Sequence, residues 1–258
     1  MSSRTSMRRG ITLKTEAELR AMREAGRLVG QVLALMEKTV APGMTTAELD
    51  RLAEATIREA GATPSFKGYN GFPATLCTSI NDEIVHGIPS ERRVVREGDV
   101  VKIDCGAILD GWQGDAAITV VIGEGTPEAR RLVTATREAL QQGIGAARAG
   151  GRVTDIGQAI EDYARSQGFQ VVREYGGHGI GRQMHEDPPV PNHGPKGHGP
   201  ELLPGMALAI EPMLTAGTWR TRRLPDGWTV KTADGKLSAH FEHTVAITEA
   251  GPMILTLP

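Results

Sequence analysis

One run of elements occurs twice in this sequence, and that repetition limits the folds open to it. Thr15 to Glu18 fits a helix capping box, and Leu19, Met22, Gly26, Val29, Leu33 and Met36 follow at helical spacing as far as Pro42-Gly43. Thr45 to Glu48 opens a second helix through Leu49, Leu52 and Ile57, with Gly61 as its stop. Strands are expected at 75–80, 83–88, 100–109 and 116–122. The order then restarts. Thr126-Pro127 opens a helix with Leu132, Val133, Leu140 and Ile144, and another runs from Thr154 through Ile156, Ile160 and Tyr163 to Gly168. Strands are expected again at 169–172, 207–213, 228–232 and 237–248. Shifted by 107 residues, Gly43 falls on Gly150, Leu49 on Ile156, Glu54 on Glu161, Arg58 on Arg165 and Gly61 on Gly168. These matches are sparse, so the repeated order is the stronger half of the observation. It points to two related α+β halves sharing one sheet, with a cleft between them. Residues 184–204, rich in Pro, Gly and His, read as an ordered long loop.

The composition excludes several classes. Hydrophobic residues make up 40% of the 258, enough for a sizeable core, and the formal net charge of −2 gives no basic face for nucleic acid. No apolar run approaches the roughly 20 residues needed to span a bilayer. No apolar stretch follows the arginines of the start "RTSMRRG", so no signal peptide is expected and that start reads as a frayed tail. Cys77 and Cys105 form no CxxC pair and read as two reduced thiols in a cytoplasmic protein.

Within the stretch "KIDCGAILDGWQGDAAITV", two carboxylates interrupt an otherwise apolar hairpin. Asp110-Gly111 is a hairpin turn signal. With those two as the loop, Leu109 pairs with Trp112, and Asp115 is the diagonal neighbour of Asp104. A four-residue loop, 108–111, would set the two Asp directly opposite. Any even loop puts both on one face, because strand side chains alternate with period two. Two carboxylates about 4 Å apart repel by roughly 4 kcal/mol at an effective dielectric near 20. A wet face, an intervening Arg or a bound cation would each offset that. The rest of the chain favours the cation. His178 stands among glycines in "EYGGHGIGRQMHEDPPV", which also carries His185; Glu211 ends the apolar run of "ALAIEPML"; Glu242 lies in the alternating "LSAHFEHTVAIT", with His240 on its face. Buried strand carboxylates without partners are costly. Four acids and one imidazole carry a formal charge of −4, which suits two divalent cations such as Co, Mn, Fe or Zn, and hydrolysis is the natural chemistry. HExxH, GxSxG, P-loop and GxGxxG motifs are absent.

The stretches "INDEIVHGIP", "KIDCGAILDGWQGD", "GGHGIGRQMHE", "AIEPM" and "DGWTVKTADGKLSAHFEHT" resemble the type I methionine aminopeptidases, over nearly the whole chain from about Leu13 to Thr248. The resemblance implies the pita-bread fold: an α+β architecture of two pseudo-symmetric halves with a shared antiparallel sheet and outer helices. The halves would be about 15–123 and 126–250 of a single catalytic domain at 13–258, behind a flexible tail at 1–12. It implies five metal ligands, Asp104, Asp115, His178, Glu211 and Glu242, the same five that charge singles out. It gives catalytic work to His86, His185 and Glu211, and a methionine side-chain slot to Tyr69, Phe72, Cys77, Met184 and Trp228. His86 and His185 would also touch substrate. Read from the residues alone, His86 is a loop histidine. Phe72 and Met184 stand where the family often has Tyr and Phe, and both keep an apolar wall. The implied activity is removal of the initiator methionine from new chains with a small second residue, by a cytoplasmic monomer meeting nascent N-termini at the ribosome. A proline-specific aminopeptidase of the same fold and a non-catalytic peptide-binding relative are the rivals. The interval of only 31 positions from Glu211 to Glu242 leaves no room for the long insertion of type II members.

Overall fold

The computed structural model describes residues 6–8 and 10–258. Its helices are α1 (Glu16–Thr39), α2 (Thr46–Glu59), α3 (Pro127–Ala146) and α4 (Val153–Ser166), each pair followed by strands. The caps are those the sequence specifies for three of the four. Thr15 and Thr45 accept hydrogen bonds from the amides of Glu18 and Glu48, whose carboxylates in turn accept from the Thr15 and Thr45 amides at 2.8 and 2.7 Å. Thr126 caps α3 with Pro127 at its first position. The fourth differs: α4 begins one residue before Thr154, and the Asp155 carboxylate accepts from the Arg152 amide at 2.8 Å. Thr154 is drawn off by His198, bonding both its amide and its carbonyl.

An eleven-stranded sheet forms the middle of the molecule. Its central hairpin pairs Val100–Leu109 with Trp112–Val121 in the two-residue register, Leu109 opposite Trp112 and Asp104 opposite Ala117. Asp110 and Gly111 both have positive φ, 50° and 76°, as a tight primed turn requires. The second strand starts at Trp112, earlier than expected, because Gln113-Gly114-Asp115 hides the apolar signal while its backbone is fully paired. The halves meet where Glu242–Thr248 pairs with this strand, Glu242 opposite Ala117. Two expected strands are each broken. Residues 207–213 divide at Glu211-Pro212 and 237–248 at Phe241, so that Met213–Thr215 and Ser238–His240 pair in a separate small sheet.

Alternation sorts the two faces of the sheet. Val101, Ile103, Cys105, Ala107 and Ala116 pack under α1 and α2, while Leu208, Ile210, Val245 and Ile247 pack under α3 and α4. The contact is tight at Gly114, where a Cβ would lie 2.7 Å from the Gly26 amide of α1. Asp104, Asp115 and Glu242 occupy the alternate positions and face the other way, into the cleft.

The presumed loop at 184–204 contains a strand, Glu186–Val190, whose register shifts between Glu186 and Pro189. Pro188 and Pro189 cannot donate to a ladder, so the run looked unlike a strand. Of the expected tail at 1–12, residues 1–5 and 9 lie outside the described residues. In the remainder, Ser6–Arg8 pairs with Ile11–Leu13, and Ile11 pairs with Asp187 at the sheet edge.

Candidate active site

Each acid reaches the cleft by a local device. Asp104 and Asp115 come from the hairpin and Glu242 from the seam strand. Glu211 sits at the break before Pro212, where its carbonyl accepts from Asn192 Nδ2 at 2.9 Å. His178 lies on the short strand Gly177–Gly179. Its flanking glycines are required by the neighbours. A Cβ on Gly177 would sit 2.1 Å from the Ala209 carbonyl oxygen, and one on Gly179 would sit 2.2 Å from that of Asp187.

The histidine is oriented as well as placed. Its Nδ1 lies 2.9 Å from the Gly179 carbonyl, which can only accept, so the proton is on Nδ1 and the Nε2 lone pair is free. Nε2 is 3.9 Å from Asp115 Oδ2 and 3.7 Å from Glu211 Oε1. Burial, then repulsion from His185, lowers its pKa to about 4, so the ring is neutral at pH 7. His240, two residues before Glu242, lies with Nε2 3.7 Å from Glu211 Oε2 and 3.9 Å from Glu242 Oε2.

Charge is unbalanced here. Burial raises the Asp104 pKa to about 7, and burial with repulsion from Asp104 raises that of Glu211 to about 8. Asp115 and Glu242 are pushed well up by burial first and by the neighbouring carboxylates second. Among the described residues, the ion-pair neighbours of these acids are histidines, with no Lys or Arg between them. The intervening-Arg explanation therefore fails. Asp104 Oδ1, Asp115 Oδ1 and Glu242 Oε1 are buried without a hydrogen-bond partner. Asp115, His178 and Glu242 bring ligand atoms within 4.8 Å of one another, and so do Glu211, His240 and Glu242. Hard oxygen donors with one free imidazole lone pair are the donor set of a divalent transition metal, so the residues fit such an ion.

One cavity of about 230 Å³ joins this floor to all seven residues expected to touch substrate, Tyr69, Phe72, Cys77, His86, Met184, His185 and Trp228. Phe66 and Asn70 line it too and were not foreseen. Phe72 meets Trp228 edge-on at 5.1 Å. Phe72, Cys77 and Met184 are buried, whereas Tyr69 is 37% exposed at the mouth. Tyr69 stacks on His185, and its hydroxyl lies 2.8 Å from His185 Nδ1. His86 is held at φ 59°, a region costly for a residue with a Cβ, and burial lowers its pKa to about 4. Cys77 and Cys105 are free thiols on opposite faces of the sheet, and burial raises both pKa values.

The sequence profile of metallopeptidase family M24 matches residues 20–249. The chain belongs to that family. A methionine aminopeptidase of Clostridium acetobutylicum is 55% identical over 247 residues, covering 96% of this chain and 99% of the relative. The crystal structure of a methionine aminopeptidase from Thermotoga maritima matches with a TM-score of 0.95 and 43% identity, over 96% of this chain and all of the other. A prolidase from Pyrococcus furiosus shares the fold at a TM-score of 0.75 and 23% identity, but this chain spans only 65% of it. The architecture is thus the pita-bread fold of the M24 metallopeptidases, and the acid-lined cleft is a divalent-metal site. No helix among the described residues is long and apolar enough to cross a membrane.

Proposed function

We propose that this chain removes the N-terminal methionine from peptides and new proteins when the second residue is small. One observation carries the reading: a narrow apolar slot ends on an unneutralised carboxylate floor within a single cavity. Asp104, Asp115, His178, Glu211 and Glu242 would hold two divalent ions, of Co, Mn, Fe or Zn type. When bound, such ions acidify water and polarise a carbonyl. The chain's own groups do the rest. Asp104 anchors the substrate's amino group, and Glu211 takes up and returns the proton of the attacking water. With Tyr69 donating to Nδ1, His185 keeps Nε2–H as a donor for the oxygen that gains charge. His86, neutral and edge-on to Trp228, contacts the scissile amide and assists the leaving amine.

The slot fits methionine because a thioether is unbranched and packs well against aromatic rings. A branched side chain meets the walls early, and a charged one is desolvated without a partner. In this reading the protein is a cytoplasmic monomer, and its partners are N-termini emerging from the ribosome. A panel of Met-Ala-Ser, Leu-Ala-Ser, Lys-Ala-Ser and an Ala-Pro peptide tests it. Met-Ala-Ser should be cleaved far faster than the others. Equal rates for Met and Leu would leave a general aminopeptidase, and preference for Ala-Pro would leave a proline-specific one.

A further inference from the structure

Behind the loop that carries His185 lies a second charged cluster, separate from the floor of the cleft. Lys14 and Glu186 form an ion pair at 2.8 Å, with side chains only 3% and 10% exposed. Thr12 Oγ1 donates to the same carboxylate oxygen at 2.5 Å, and Lys14 Nζ also donates to Thr12 Oγ1 at 2.7 Å. The other Glu186 oxygen accepts from the Gln183 amide at 3.2 Å. One carboxylate therefore ties the N-terminal segment to both ends of a short bridge, and the residues inside that bridge are Met184 and His185. The Lys14 amide is anchored in turn, donating to the Gly205 carbonyl at 2.7 Å. The cluster is closely fitted: a Cβ on Gly181 would lie 2.6 Å from Glu186 Oε1 and from Lys14 Cε. His185 itself is exposed, with Tyr69 as its hydrogen-bonded partner on the cleft side.

We propose that Lys14, with Thr12, is a positioning residue for His185, acting through Glu186 to hold the bend at 181–186 so that the imidazole points into the cleft. The segment that reads from sequence as the edge of a tail thus forms part of the catalytic framework. The proposal rests on the role given above to His185. A pair that only fastened the N-terminus to the body would affect stability alone. A brace acting through His185 affects turnover, and only while His185 is present.

A double-mutant cycle on Met-Ala-Ser separates the two. Lys14→Met should lower kcat by about 10-fold with KM and metal content unchanged, the usual scale for losing an orienting partner. In a His185→Ala background the same substitution should change kcat by less than about 2-fold. Hydrogen exchange should quicken at 183–186 and stay unchanged at 104 and 115. Should the lone Glu186 charge unfold the single variant, Lys14→Met with Glu186→Gln removes both charges and is carried through the same cycle. Wild-type kcat in either variant, or an equal fall in both backgrounds, would overturn the brace. If the parent protein leaves Met-Ala-Ser uncut, the methionine reading fails instead, and the exchange pattern alone then decides whether the brace holds this loop.

Discussion

The carboxylate floor and the apolar slot share one cavity but stand on different kinds of backbone. Asp104, Asp115 and Glu242 project from long paired strands, where register fixes each side chain relative to the next. Tyr69, Phe72, Met184 and His185 lie on turns and bends between strands. The floor has to hold four like charges close together, which needs a frame that does not yield. On the proposed reading, the slot has to admit a side chain and release it, and these walls come from turns and bends rather than from paired strands. The two also answer to different energies. On the same reading, loss of one floor carboxylate would remove a metal ligand outright, whereas loss of one methylene in the slot would change binding by about 1–3 kcal/mol.

That contrast can be broken by substitution, beginning with the largest expected effect. Asp115→Ala should bring activity to background while far-UV circular dichroism stays that of the parent; wild-type activity would sink the metal reading of the floor. His185→Ala should lower kcat by roughly 10²–10³, as for other losses of one oxyanion donor, and leave metal content unchanged. Loss of metal in that variant would reverse the division of labour between His178 and His185. In the slot the effects should be smaller. A norleucine-Ala-Ser peptide should be cleaved more slowly than Met-Ala-Ser by about 10-fold, within the range for a modest change in an apolar pocket. Complete refusal would show that the sulfur makes a specific contact. Furthest from the cleft, Thr45→Ala should lower stability by about 1 kcal/mol through the lost cap of α2, with kcat and KM as in the parent. A change in either constant would mean that the helix layer and the cleft are coupled.

The floor could be read from sequence because its signals are local and periodic. Asp110-Gly111 signals the hairpin, period-two alternation puts Asp104 and Asp115 on one face for any even loop, and Glu211 stands at the end of its apolar run, although the strand expected to continue to 213 stops at Ile210. The slot could not be read in that way. Tyr69, Asn70 and Phe72 lie around a short 3₁₀ turn in which Asn70 has φ 49°, and no periodicity predicts where such a turn points. His86 likewise takes its place from a left-handed backbone conformation that the sequence does not announce. Both came only through resemblance to a family. His240 shares a face with Glu242 by sequence alternation, but it is the break at Phe241 that sets it, as the last residue of Ser238–His240, with Nε2 against the Glu211 and Glu242 carboxylates. Thr12 and Lys14 gave no signal at all, since their partner is 172 or more residues away.

The central claim is that the buried acids are a cation site and not merely a strained cluster. Calorimetric titration of metal-free protein with Mn or Co, beside Asp115→Ala under the same conditions, tests it most directly. The parent should show saturable binding of two ions per chain, and the variant should lose that stoichiometry. Absence of saturable binding in the parent, or an unchanged isotherm in Asp115→Ala, would contradict the claim.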